Sequence, residues 1–294
     1  MIVGIHGIGQ QQVGRRQLLR DWAPALGDGL EFAVGNRVDG VSFDLAFYGD
    51  LFLRPATPEL KGGGEDGGIA DVGAEETADL VEAAREVVTD AEIAAADRAL
   101  PHKAYTRTPR PVQVVLRALD VRFGPAAGVL YLGTLRQVRR YLHDPVLKAR
   151  VDAIVAAAVG SQCRIVVGHS LGSVVALEFV RQHPDHPLDL LLTLGSPLGL
   201  RMVQSRLAEP FFGATASRGI PKSVAGWVNV RDVRDPVACA GDLGTWWPGV
   251  EDRRVDNEGD AHNVARYLSK REAGSAIAAA ARLGPQDGQP GRGQ

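Results

Sequence analysis

The segment Ile165-Val166-Val167-Gly168-His169-Ser170-Leu171-Gly172-Ser173-Val174-Val175-Ala176 limits the fold more than any other. An apolar strand run passes through G-x-S-x-G directly into an apolar helix run, and a sharp strand-to-helix turn has to join the two. Such a turn needs small residues two before and two after the serine, which Gly168 and Gly172 supply. It lifts the serine hydroxyl clear of the sheet at a helix N-terminus, where free N–H groups and the helix dipole favour developing negative charge. The bare pattern is modest evidence: with ten serines and 35 glycines among 294 residues it arises by chance about 0.14 times. The flanking strand and helix make it specific.

The rest of the chain repeats the same alternation. Residues 2–5 read as a short buried strand ended by glycine, 10–26 as a helix and 41–48 as a second strand. Helical spacing continues over 74–100, 112–122, 129–142 and 145–159. After the Ser170 turn come a helix to Gln182, stopped by Pro184, strands at 188–194 and 224–230, a weaker strand at 253–255 and an Ala-rich helix over 263–283. Strands alternating with helices imply an α/β class fold, a mostly parallel sheet with helices on both faces. Residues 1–283 read as one domain, and the Gly/Pro-rich segment 284–294 as a disordered tail.

Composition removes several functions. The 33 basic and 35 acidic residues nearly cancel, which argues against a nucleic-acid binder. No apolar run approaches the roughly 18 residues of a membrane span. Cys163 and Cys239 are too few for a disulfide framework or a four-cysteine zinc site, and both read as packing residues. No H-E-x-x-H occurs and the histidines are scattered, so no metal site and no cofactor is expected. Met1 leads straight into a strand with no basic, then apolar, leader; as given, the chain reads as cytoplasmic.

Gly168-His169-Ser170-Leu171-Gly172 resembles the nucleophile elbow of the α/β-hydrolases, in their lipase and esterase branch. His6-Gly7-Ile8-Gly9 is similar to the His-Gly segment ending the oxyanion strand of those lipases, and Thr193-Leu194-Gly195-Ser196-Pro197-Leu198-Gly199 to the segment ending the strand after the elbow. The three lie in the family's order. By this resemblance the chain begins at the oxyanion strand, without the first antiparallel strands of the fullest fold. A phosphate-type glycine loop at residues 6–9 is set aside, because no Lys-Ser or Lys-Thr follows and G-x-G-x-x-G is incomplete.

A serine nucleophile needs a base, and the base an orienting acid. In the family their order is Ser, then Asp or Glu, then His. His183 and His186 flank Pro184 at the far end of the helix after the elbow, some 20 Å from the serine at 1.5 Å per residue, too far for the base. His262 stands in a polar loop before the last helix, where the resemblance puts the base. His102 and His143 precede the elbow and read as surface residues; His6 and His169 flank the site, and the resemblance gives neither the base role. Two acids, Asp232 and Asp235, follow the strand at 224–230. Asp235-Pro236-Val237 matches the family's Asp-x-Val and is preferred, with pairing to Arg231 or Arg234 as the ordinary alternative. Asp242 and Asp260 are weaker options. The resemblance assigns the oxyanion N–H groups to Leu171 and Ile8. Trp246-Trp247-Pro248 reads either as a pocket wall or as a loop anchor.

These readings imply an ester-cleaving serine hydrolase with a small-molecule or lipid-like acyl substrate. The same triad serves a thioesterase, acyltransferase or peptidase, and a non-catalytic binding protein on the same fold is the rival from another class. Residues 54–150 match no named sequence. Acidic residues crowd 59–97, whereas 103–150 hold ten basic against two acidic, so these are either solvated helix faces or an acidic helix packed beside basic ones as a cap. A lid over the Ser170 site, with Val129, Leu130, Leu132, Leu135, Val138 and Leu142 as its apolar face and the glycines of 62–68 giving it mobility, is the expectation; a rigid buttress packed away from the site is the alternative.

Overall fold

The computed structural model describes residues 1–53, 73–101, 108–207 and 219–283. Six strands form one sheet: β1 (Ile2–Ile5), β2 (Phe43–Ala46), β3 (Ile165–His169), β4 (Leu190–Leu194), β5 (Trp227–Asp232) and β6 (Glu251–Val255). Every pairing is parallel, in the order β2-β1-β3-β4-β5-β6. The four inner strands are buried along their length and the two edge strands are not, which is why β1, β3 and β4 read as apolar runs and β6 as a weak one.

Alternate side chains of the strands feed two cores. On one face Ile2, Ile165, Val167, Leu190 and Leu192 pack under α1 (Arg15–Val34), α8 (Val264–Leu268) and α9 (Arg271–Ala281). On the other, Val3, Ile5, Val166 and Leu191 share one cluster with α2 (Ala74–Arg85), α4 (Arg110–Phe123), α5 (Ala127–His143), α6 (Pro145–Val159) and α7 (Leu171–Gln182). The acidic and basic stretches meet there. Arg139 of α5 reaches Asp79 of α2 at 3.0 Å, Arg136 pairs with Glu76, and Arg122 of α4 reaches Glu92 of α3 (Asp90–Ala99) at 2.9 Å. Leu135 and Val138, expected on a lid face, are buried in the common core, whereas Val129 is exposed. The glycines of 62–68, His102 and the segment 284–294 lie outside the described residues.

Two expected helices are each two. The run over 74–100 stops after Arg85 and restarts at Asp90, because Thr89 accepts the Glu92 N–H at 3.2 Å while Glu92 accepts the Thr89 N–H at 2.7 Å, a capping box that starts a new helix. The run over 263–283 breaks between Leu268 and Arg271 with no glycine or proline to mark it. The first helix extends further than expected, to Val34. No helix among the described residues is long and apolar enough to cross a membrane.

In this order β1 is followed by β2 on one side and β3 lies on the other, so connections leave the C-terminal ends of β1 and β3 in opposite directions. A crevice opens at such a reversal in a parallel sheet. Residues 6–9 and 169–171 sit at those two ends.

Candidate active site

Ser170 caps α7 with φ 55° and ψ −126°, a left-handed conformation that costs a non-glycine residue on the order of 1–3 kcal/mol. Neighbouring contacts hold it there. Its N–H donates to Leu194 O at 3.0 Å, and Ser173 Oγ donates to its carbonyl at 2.6 Å while sharing a hydrogen bond with Ser196 Oγ at 2.7 Å. The two flanking glycines are sterically required. A Cβ on Gly172 would stand 2.0 Å from Ile5 O, and one on Gly168 2.6 Å from Gly172 O. The first N–H groups of α7, beginning with buried Leu171, have no intrahelical acceptor.

The loop after β5 carries Asp235, wholly buried, and the loop after β6 carries His262. The His262 Nδ1 and Asp235 Oδ2 are 2.8 Å apart. Asp235 Oδ1 accepts the Val237 N–H at 2.8 Å, and Oδ2 also accepts the Tyr267 hydroxyl at 2.8 Å. Burial and the Asp235 charge push the Tyr267 phenol well up, so it remains a donor. Asp232 is occupied elsewhere: its carboxylate accepts the N–H groups of Arg234 and Asn257 at 2.8 and 2.5 Å and braces the two loops against each other. The other ring nitrogen of His262, Nε2, is buried without a hydrogen-bond partner, and so is Ser170 Oγ.

His169 lies against the same imidazole. Its ring centroid is 4.7 Å from that of His262, and its Nε2 is 2.9 Å from the His262 carbonyl oxygen. Burial and the nearby His262 hold its pKa well below the ordinary histidine value. Beside these rings opens a cleft of about 570 Å³, walled by Ile8, Trp22, Leu130, His169, His262 and Asn263 among others. The Ile8 side chain is half-buried at its edge, and Gly7 abuts the elbow, where an added Cβ would fall 2.7 Å from Ser170 Cβ.

The remaining candidates lie elsewhere or are engaged. His183 Nδ1 approaches Phe179 O and His186 Nε2 approaches Cys163 O, at 2.9 and 3.1 Å. His143 is exposed and accepts from Arg206. Asp242 is held by Arg231 and Arg254 at 2.6 and 2.7 Å, and Asp260 accepts from Asn263 at 2.7 Å. Cys163 Sγ lies 3.2 Å from Ile165 O; burial and Asp235 push the Cys239 thiol up. Trp247 is buried against Trp227, with ring centroids 5.5 Å apart, and anchors its loop without lining the cleft. No group of three potential metal ligands occurs among the described residues.

Two contacts of the site had no sequence signal of their own, Tyr267 on Asp235 and His169 on His262; of the apolar face expected over the site, Leu130 of α5 stands in the cleft wall. Searches of the chain against protein-family models, curated proteins and solved structures match nothing.

Proposed function

We propose that the chain is a serine hydrolase of the α/β-hydrolase fold that cleaves ester-type acyl bonds through an acyl-enzyme on Ser170. One observation carries this reading. The His262–Asp235 pair leaves His262 Nε2 unbonded, and Ser170 Oγ, on a strained elbow, is equally unbonded and buried. An unsatisfied buried polar atom costs about 1–3 kcal/mol. Two such atoms at the crevice of a parallel sheet are accounted for by a reaction in which each finds a partner.

In this mechanism His262 Nε2 takes the Ser170 proton as Oγ attacks the acyl carbonyl. Asp235 holds the imidazole in the Nδ1–H form and stabilises the cation. Tyr267 and the Val237 N–H each donate to the carboxylate and fix its direction. The N–H groups of Leu171 and Ile8 receive the oxyanion. His262 then protonates the leaving alcohol, and a water repeats the sequence on the acyl-enzyme. Because His169 stays neutral beside His262, the imidazolium forms without a second positive charge against it. The cleft takes the substrate. Its size is that of a drug-sized molecule, and among the described residues Asp21 is the one charged residue in its wall, so an uncharged acyl chain suits it. Helices α2 to α5 form the cap, whose Leu130 end meets the cleft.

Incubation with a fluorophosphonate tests the reading. Covalent labelling confined to Ser170, together with hydrolysis of p-nitrophenyl esters, is expected; an unlabelled, folded wild-type chain with no esterase activity would refute it.

A further inference from the structure

We infer that His6 is a positioning residue that aims the Ile8 N–H into the Ser170 site; this rests on the hydrolase reading above. The His6 ring is buried and stacks on Tyr48, with centroids 4.1 Å apart. The Tyr48 N–H donates to His6 Nε2 at 3.2 Å, so that nitrogen presents its lone pair and the ring proton sits on Nδ1. From there it is donated to the Gly7 carbonyl oxygen at 2.7 Å. The Tyr48 hydroxyl donates in turn to the His6 carbonyl at 2.5 Å. Burial holds the His6 pKa at about 4, so the same tautomer persists at neutral pH.

The Gly7 carbonyl and the Ile8 N–H belong to one peptide plane. In a trans peptide they point in opposite directions, and no cis peptide occurs among the described residues. Fixing the oxygen therefore fixes the direction of the N–H on the opposite edge. The plane lies at the elbow, since a Cβ on Gly7 would fall 2.7 Å from Ser170 Cβ. On the far side of Ile8, Gln10 Nε2 donates to the Ile8 carbonyl at 3.1 Å. The loop is thus held by one side chain on each side of Ile8, and the ring that sets the donor direction is itself set by the backbone of Tyr48, just past β2. An oxyanion donor is effective only when it is aimed before charge develops.

The test compares a p-nitrophenyl ester with its thiono analogue, in which C=S replaces C=O, because a developing sulfur anion gains less from N–H donors than an oxyanion does. Wild type should strongly prefer the oxygen ester. His6→Ala should lower kcat for the oxygen ester by about 10²-fold, the usual loss for one donor, with KM little changed. It should lower the thiono rate much less, so that the oxygen-to-sulfur ratio falls by roughly tenfold or more. His6→Asn, which keeps an amide donor near Nδ1, should recover part of the ratio. Gln10→Ala, at a half-buried position where folding is not at stake, should lower it several-fold. A mere loss of folded enzyme reduces both rates alike. An unchanged ratio in His6→Ala and Gln10→Ala would overturn the inference. A wild-type ratio near one would overturn it while leaving the hydrolase reading standing, whereas a wild type inactive on both esters overturns that reading and the inference together.

Discussion

Ser170, His262 and Asp235 act as one unit in the proposed chemistry, so their substitutions should not add. Ser170→Ala should abolish fluorophosphonate labelling and lower kcat by roughly 10⁴–10⁶-fold, with circular dichroism unchanged. His262→Ala should match that loss, and the double variant should be no worse than either single one. The two aspartates should separate by kind of defect. Asp235→Asn should cost mainly kcat, because an amide cannot hold the Nδ1–H tautomer or stabilise the cation. Asp232→Asn should cost mainly melting temperature, because its carboxylate joins the 234 and 257 loops. The reverse ranking would move the acid to Asp232. At this scale the sequence is informative where a residue's role is set by near neighbours. Gly168 and Gly172 are readable because the turn demands them, and Asp235 through Pro236-Val237. The Tyr267 hydroxyl on Asp235 spans 32 positions and the His169 bond to His262 spans 93. Such contacts depend on how loops close in space, and no local pattern encodes them.

Among the elements, α5 divides into two functional halves. Leu135 and Val138 are almost wholly buried in the core that also holds Val3 and Ile5. Replacing both with serine should lower stability by about 2 kcal/mol or more through lost burial and cavity formation, measured by urea denaturation, with acyl-length preference retained. Leu130, five residues before Leu135, walls the cleft instead. Leu130→Ala should shift the preferred p-nitrophenyl ester toward longer acyl chains while moving the melting temperature little; an unchanged preference would separate α5 from the substrate. The amphipathic spacing of this helix was legible, but its partner was not, since an apolar face packs equally well on a sheet or over a ligand. The break before α3 was in principle legible, because Thr89 and Glu92 stand at capping-box spacing. The break after Leu268 was not, because Ser269 and Lys270 carry no glycine, proline or side-chain cap to mark it.

Across the whole molecule, two buried neutral imidazoles tie stability to pH. His6 titrates at about 4 in the folded chain against 6.5 when unfolded, so below 6.5 the unfolded state binds the extra proton. Stability is therefore fully present above pH 6.5 and is lost as pH falls toward 4, by about 3 kcal/mol from this residue. His169, whose pKa is also lowered by burial and by His262, acts in the same direction. Denaturation midpoints should fall steeply between pH 6.5 and 4.5, and the NMR signals of these two rings should stay untitrated from pH 7 to 5; a normal titration of either would contradict its burial. The order of the strands has a different consequence, for synthesis. Ile2 pairs with Phe43 on one side but with Ile165 on the other, 163 positions later. At ribosomal rates of about 5–20 residues per second, one flank of the first strand waits roughly 10–30 s for its neighbour. Through that interval an apolar strand with open hydrogen-bonding groups stands exposed on the nascent chain. Yield in cells should accordingly depend on holding chaperones and on translation speed between β2 and β3 more than on the stability of the finished protein.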